Sequence, residues 1–329
     1  MNRTLVTLLS AAVMLLAAWP AGSAATEAES APRGLEQMIR DWRSWFGPWG
    51  EVPTPAPATP PLRAAVAQGD PALVRRLLGQ GGNPDGTGGK VETPLEVSVW
   101  HGRIDLAALL LEYGADANLT SGTLGGTPLH LAVRKGDEAI VRLLVEHGAR
   151  LDTKAARALG VPLHRLGDTP LHEAADAGNL ALTELLIGYG ADPNLTNGAG
   201  LTPLHHAVAG SHLPVVESLL AQGADLERRS RIGATPLHWA VVEGNPETVE
   251  FLLSRGAAVN TQTHNGSTPL HGAVSRRRPE MASLLIAHGA DVSAIGISGE
   301  SPLAMARRLA DPALIEILES ADQPSDADR

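Results

Sequence analysis

The chain has 329 residues, of which 43% are hydrophobic and 19% charged, a balance that excludes wholesale disorder. Twenty-six basic against 36 acidic residues leave a net charge of −10, which argues against nucleic acid or anionic lipid as the default partner. Cysteine is absent, so disulfide frameworks, thiolate metal sites and cysteine nucleophiles are excluded together. Aromatic residues make up only 3%, so a core must be built from Ala, Leu and Val, which suits thin helical layers.

Residues 1–25 read as a secretory signal peptide. Arg3 supplies the positive end, Leu5 to Trp19 is uncharged and mostly apolar, and Gly22-Ser23-Ala24-Ala25 offers small residues for cleavage after Ala24 or Ala25. The apolar run is short against the roughly 20 residues needed to span a bilayer, so an uncleaved anchor is the weaker alternative. Cleavage removes Arg3 and no acidic residue, taking the net charge from −10 to −11. We therefore expect export, with the periplasm of a bacterium as the destination and secretion as the alternative. Composition adds an analogy here, because an Ala- and Arg-rich chain without Cys resembles periplasmic proteins of GC-rich bacteria.

Residues 26–59 form a linker. Apolar residues at Leu35, Met38, Ile39, Trp42 and Phe46 fall on one stripe of a 3.6-residue period, predicting a short amphipathic helix over 35–46. Two uses are open for it: capping the domain that follows, or contact with a partner or membrane surface, where Trp and Phe flanked by Arg belong. It is the one segment that offers membrane contact. Pro53, Pro55, Pro57, Pro60 and Pro61 then stiffen the chain into an extended spacer.

The remainder, residues 60–320, is a repeat. Thr-Pro-Leu-His begins at Thr127, Thr169, Thr202, Thr235 and Thr268, with degenerate copies beginning at Pro60, Thr93 and Ser301. The eight starts are separated by 33, 34, 42, 33, 33, 33 and 33 residues. Thr is a good N-cap and Pro is favoured at the first helical position, so each signature starts a helix. Leu and the later Ala-Ala or Ala-Val pair face inward. Gly102, Gly136, Gly178 and Gly244 end these first helices, and a second helix runs to Gly-Ala pairs such as Gly148-Ala149 and Gly256-Ala257. Ser211 and Arg277 stand where the first glycine is expected, which predicts less regular turns there. The 42-residue interval holds nine extra residues, with Val161-Pro162-Leu163-His164 as a partial copy of the signature, and predicts a surface insertion. Acidic residues in the last repeat suit a solvated cap, and residues 321–329 read as a disordered tail.

This period and tetrapeptide resemble the ankyrin repeat. The resemblance covers residues 60 to about 320. It implies an all-α solenoid of about eight helix-turn-helix repeats with β-hairpin or loop fingers, and it implies protein recognition across a concave surface. It also implies that the signature histidines are structural, bonding the Thr and the neighbouring turn. Two histidines from successive helices about 8–10 Å apart cannot readily meet one zinc at 2.0–2.1 Å. His205, His206 and His212 form only a looser cluster.

No catalytic, cofactor or metal site emerges. Gly86-Thr87-Gly88-Gly89-Lys90 lacks both the first Gly and the final Ser or Thr of a phosphate loop. No Gly-x-Ser-x-Gly elbow occurs, and the carboxylates recur at the repeat period, as turn residues do. Asn118-Leu119-Thr120 and Asn194-Leu195-Thr196 match glycosylation sequons that bacterial export leaves unused. The expected function is a non-catalytic, monomeric scaffold that binds another exported protein. The alternatives are a secreted effector acting on a host protein, and an immunity, inhibitor or accessory protein of an enzyme. In the layout the resemblance implies, the binding face comprises Trp100, His101, Arg134, Lys135, Asp176, Val242, Glu243, Ser275 and Arg276 from the helices. Leu124, Arg229, Arg231, Ile232, His264 and Ile297 join them from the fingers, with Arg228, Arg229 and Arg231 as a basic patch suited to an acidic partner.

Overall fold

A computed structural model describes residues 62–86, 92–120, 126–155, 166–296 and 299–322. The signal peptide, the 35–46 helix, the proline-rich spacer, most of the insertion and the tail from residue 323 lie outside the described residues. So do Leu124 and Ile297.

Sixteen helices in eight pairs, and no strand, make up the described residues. In chain order the pairs are α1 (Leu62–Gln68) with α2 (Pro71–Gly79), α3 (Pro94–Trp100) with α4 (Ile104–Glu112), and α5 (Pro128–Lys135) with α6 (Glu138–Glu146). Then come α7 (Pro170–Asp176) with α8 (Leu180–Gly188), α9 (Pro203–Ala209) with α10 (Leu213–Ala221), and α11 (Pro236–Glu243) with α12 (Pro246–Ser254). The last two are α13 (Pro269–Ser275) with α14 (Pro279–Ala287) and α15 (Pro302–Arg308) with α16 (Pro312–Ala321). Each first helix packs on the first helix of the next pair, and among the second helices α2 packs on α4, α4 on α6, α8 on α10, α12 on α14 and α14 on α16.

Helices of seven to ten residues are too short to persist alone, so tertiary burial must hold them. Leu129, Ala132 and Val133 are buried on α5, and Leu204, Ala207 and Val208, Leu237, Ala240 and Val241, and Leu270, Ala273 and Val274 repeat that register. The second helices answer with Ile140, Val141 and Leu144, or Val215, Val216 and Leu219. Small Ala residues let neighbouring layers approach closely, which is why so few aromatics suffice.

Every first helix ends in a left-handed residue: Gly69, Gly102, Gly136, Gly178, Ser211, Gly244, Arg277 and Ala310. The expectation of less regular turns at Ser211 and Arg277 is therefore corrected. Their φ values of 57° and 53° match the conformation of the glycines. Their N–H groups make the same bonds, Ser211 to Val208 O at 2.9 Å and Arg277 to Val274 O at 3.0 Å. Burial of the flanking helices imposes this geometry on residues that disfavour it. Arg277 gains some return, because its guanidinium reaches Leu309 O at 2.8 Å and Asp311 at 3.6 Å.

The fingers are tight turns. Asn197, Ser230, Thr263 and Gly296 each donate their N–H to the carbonyl four residues on, at 2.9–3.1 Å, around a Gly that closes the turn. Successive fingers are joined by single backbone bonds: Gly198 N–H to Leu166 O, Arg231 N–H to Ala199 O, and His264 N–H to Ile232 O. One bond per junction is too few to form a strand ladder, so of hairpin and loop the described fingers are loops.

The sequon asparagines have a structural use. Asn118 Nδ2 donates to Gly148 O at 3.0 Å while its Oδ1 accepts from Arg150 N–H at 2.8 Å. Asn194 bridges to Gly223 and Asp225 in the same way, and Asn260 to Gly289 and Asp291. These amides tie the end of one second helix to the end of the next.

Candidate protein interface

The signature histidines belong to the frame. His172 Nδ1 lies 2.8 Å from Thr169 Oγ1 and 3.2 Å from the Thr169 N–H, and its Nε2 lies 2.9 Å from Leu201 O in the next repeat. A carbonyl can only accept, so the proton sits on Nε2 and Nδ1 accepts from Thr. His130, His205, His238 and His271 repeat this with Asp168, Ala234, Ser267 and Glu300 carbonyls. In the second repeat Glu96 takes the place of His: its carboxylate accepts the Thr93 N–H at 2.7 Å, and its own N–H meets Thr93 Oγ1. Burial lowers His130 and His172 to about 4 and His205 to about 3. It also lowers His238 and His271. All five are held neutral at pH 7.

His206 is different. It is buried, yet its Nε2 lies 3.4 Å from Asp168 Oδ1 and its Nδ1 3.4 Å from Asp176 Oδ1. Burial opposes its charge, but the two carboxylates override burial and raise it to about 9. His206 is therefore an imidazolium. Asn197 Nδ2 also donates to Asp168 Oδ1 at 2.7 Å, and the His172 ring meets the His206 ring edge-on at 5.4 Å. Asp168 O accepts both His130 Nε2–H and the Ala155 N–H, closing the base of the insertion. His205 points away, towards Ala234 O, and His212 Nε2 bonds Asp176 O at 3.0 Å. The three histidines do not converge, and no group of three metal-ligating side chains occurs among the described residues. Asp168 and the charge on His206 are absent from the sequence reading, because residues 168, 176 and 206 meet only in the fold.

The candidate binding residues fall into two groups. Trp100 is 54% exposed and Lys135 Nζ lies 5.2 Å from its ring centroid, an exposed cation–π pair. His101 is exposed beside it. Arg134 is paired with Glu173 at 2.7 Å, and Asp176 with His206.

The second group surrounds one groove of about 740 Å³. Arg231, Ile232, Val242, Glu243, His264, Ser275 and Arg276 all line it. Its floor and walls come from Trp239, Gly272 and Met305, the residues directly after the tetrapeptide in three successive repeats. A comparison of residues at that position, Leu131, Glu173, His206, Trp239, Gly272 and Met305, is the sequence signal that would have located the groove. Arg229 stands apart from it. Its guanidinium bonds Gly233 O and Gln262 O, so it braces two fingers.

This stack of capped helix pairs carries a groove lined by residues of three successive repeats, the architecture of a repeat scaffold. Models of ankyrin repeats (3 copies) match residues 62–155, 121–197 and 171–263, and a model of ankyrin repeats (many copies) matches 252–306. The chain belongs to the ankyrin repeat family, generally a non-catalytic protein-interaction module. No curated protein matches the chain.

Proposed function

We propose that this protein is an exported, non-catalytic scaffold that binds another exported protein through its concave face. The observation that carries the reading is the groove, where seven residues of the expected binding face come together around apolar walls. Buried pockets with aromatic and Arg neighbours are where interface energy concentrates. Export rests on Arg3, the apolar run from Leu5 to Trp19 and the small residues at 22–25.

The test is crosslinking in the cells that make the protein, with the bound chain identified by mass. Recovered mature protein should begin at Ala25 or Thr26. Trp100→Ala and Arg231→Glu should each weaken capture, and a full hot-spot loss of about 2 kcal/mol corresponds to roughly 30-fold. Glu217→Ala, on the exposed face of α10, is the control. Capture unchanged in both variants would move the binding site off the concave face.

A further inference from the structure

Gly272 is held at a cost that the protein's own packing does not require. It lies inside α13, where glycine is among the least favourable residues, and its φ is not in the left-handed region. A Cβ built there would meet only Val241 Cγ1 and Val242 Cγ2, each at 3.7 Å, which is ordinary van der Waals contact. Gly272 lines the same groove as Trp239 and Met305, and the missing side chain leaves that lining open. Trp239 Nε1 is buried there with no hydrogen-bond partner. Ile232, 62% exposed, extends the apolar surface to the finger tip.

The rim is basic on a chain of net charge −10. Arg231, Arg276 and His264 are exposed along it, and Glu243 is the one carboxylate in the lining. Neither arginine has an ion-pair partner among the described residues. Complementarity therefore calls for acidic groups on either side of an apolar one. The 35–46 segment does not meet that demand, since Glu36 and Asp41 are balanced by Arg40 and Arg43.

We propose that the groove over Gly272 docks an acidic polypeptide segment of the partner. The segment seats one bulky apolar side chain between Trp239 and Met305 and sets carboxylates against Arg231 and Arg276. This rests on the concave face being the protein-binding surface and adds the chemistry of what it takes.

The probe is a fluorescein-labelled peptide with a central Leu flanked by Asp and Glu, titrated by anisotropy against the full mature chain at low and high salt. Binding should weaken with salt, and by about tenfold or more on replacing the peptide Leu by Ser. Arg231→Glu, Arg276→Glu and Gly272→Leu should each cost a similar factor, with Glu217→Ala unchanged. Circular dichroism checks folding, and the two exposed arginines keep the test open should Gly272→Leu misfold. Equal binding of a peptide with Lys in place of the acids, of a single-stranded DNA, or of the acidic peptide by folded Gly272→Leu would overturn the proposal. Cellular capture separates the two readings. If the native partner is lost with Trp100→Ala but kept by Gly272→Leu, the concave face stands as the interface and this groove is not its seat.

Discussion

The residue that follows Thr-Pro-Leu-His occupies one structural position throughout, yet the third to fifth repeats and the last three use it differently. In the third, fourth and fifth repeats it is Leu131, Glu173 and His206. Leu131 is buried, Glu173 holds Arg134, and His206 holds Asp168 and Asp176. In the last three repeats it is Trp239, Gly272 and Met305, which line a groove beside Arg231 and Arg276. The side chains of Leu131, Glu173 and His206 find their partners within the fold. The last three repeats present apolar walls and arginines without an ion-pair partner among the described residues. The apolar core divides one repeat earlier, between α8 and α9. One buried cluster runs from Leu62 to Ala191 and the other from Ala175 to Leu318, and Ile187 packs on both. The His206 network sits near that division and supplies polar contacts there.

The largest expected effect falls in the third to fifth repeats. His206→Ala leaves Asp168, which is buried, without its cation, and breaking a buried pair costs about 3–5 kcal/mol. Urea unfolding should show that loss at pH 7. Repeat stability is a sum over neighbours, so Trp239 fluorescence should report a smaller change than probes placed on α7 or α9.

Titration sharpens the comparison, because the two kinds of buried histidine respond to opposite pH changes. His206 is raised to about 9 from 6.5, so its contribution is full below pH 6.5 and is lost as pH rises through 9. At about 1.4 kcal/mol per unit, that limb is worth about 3 kcal/mol. His130, His172 and His205 are lowered to between about 3 and 4. Their unfolded forms bind protons first, so stability falls as pH drops from 6.5 towards 4. Urea midpoints should therefore decline on both sides of a maximum near pH 6–7. His206→Ala should remove the alkaline limb and leave the acid one. Loss of the acid limb instead would mean the two assignments are reversed.

The signature repeats because each copy must solve the same problem: cap a short helix and join it to the next. A solution repeated every 33 residues is visible in one dimension, and so are the helices and their ends, while the structural role of the five histidines follows from the family resemblance. The His206 network arises once, from residues 168, 176, 197 and 206, and no spacing marks it. Ser211 and Arg277 mislead for a related reason. Local preference argues against their conformation, and the packing of α9 with α10 and α13 with α14 overrules it. The groove lies between these cases. Its arginines and its Ile232 follow from the repeat register, but its floor is a missing side chain, and glycine inside a helix reads as a weakness until the neighbours on either side are known.

That weakness yields the smallest predicted effect and the most discriminating one. Replacing Gly272 with Ala should stabilise the domain by about 0.5–1 kcal/mol, since Ala restricts the unfolded chain and favours helix. The added methyl meets Val241 and Val242 at 3.7 Å, so no strain offsets the gain. A domain of this kind gains from the same change at an ordinary helix position whether or not it binds anything. Here Gly272 also lines the groove with Trp239 and Met305, so if the methyl intrudes on it, binding of the acidic peptide should weaken as the urea midpoint increases. Opposite movement of stability and affinity is the signature of a residue kept for contact. If Gly272→Ala destabilises the fold, the glycine serves packing after all, and the groove beside it is not kept open for contact.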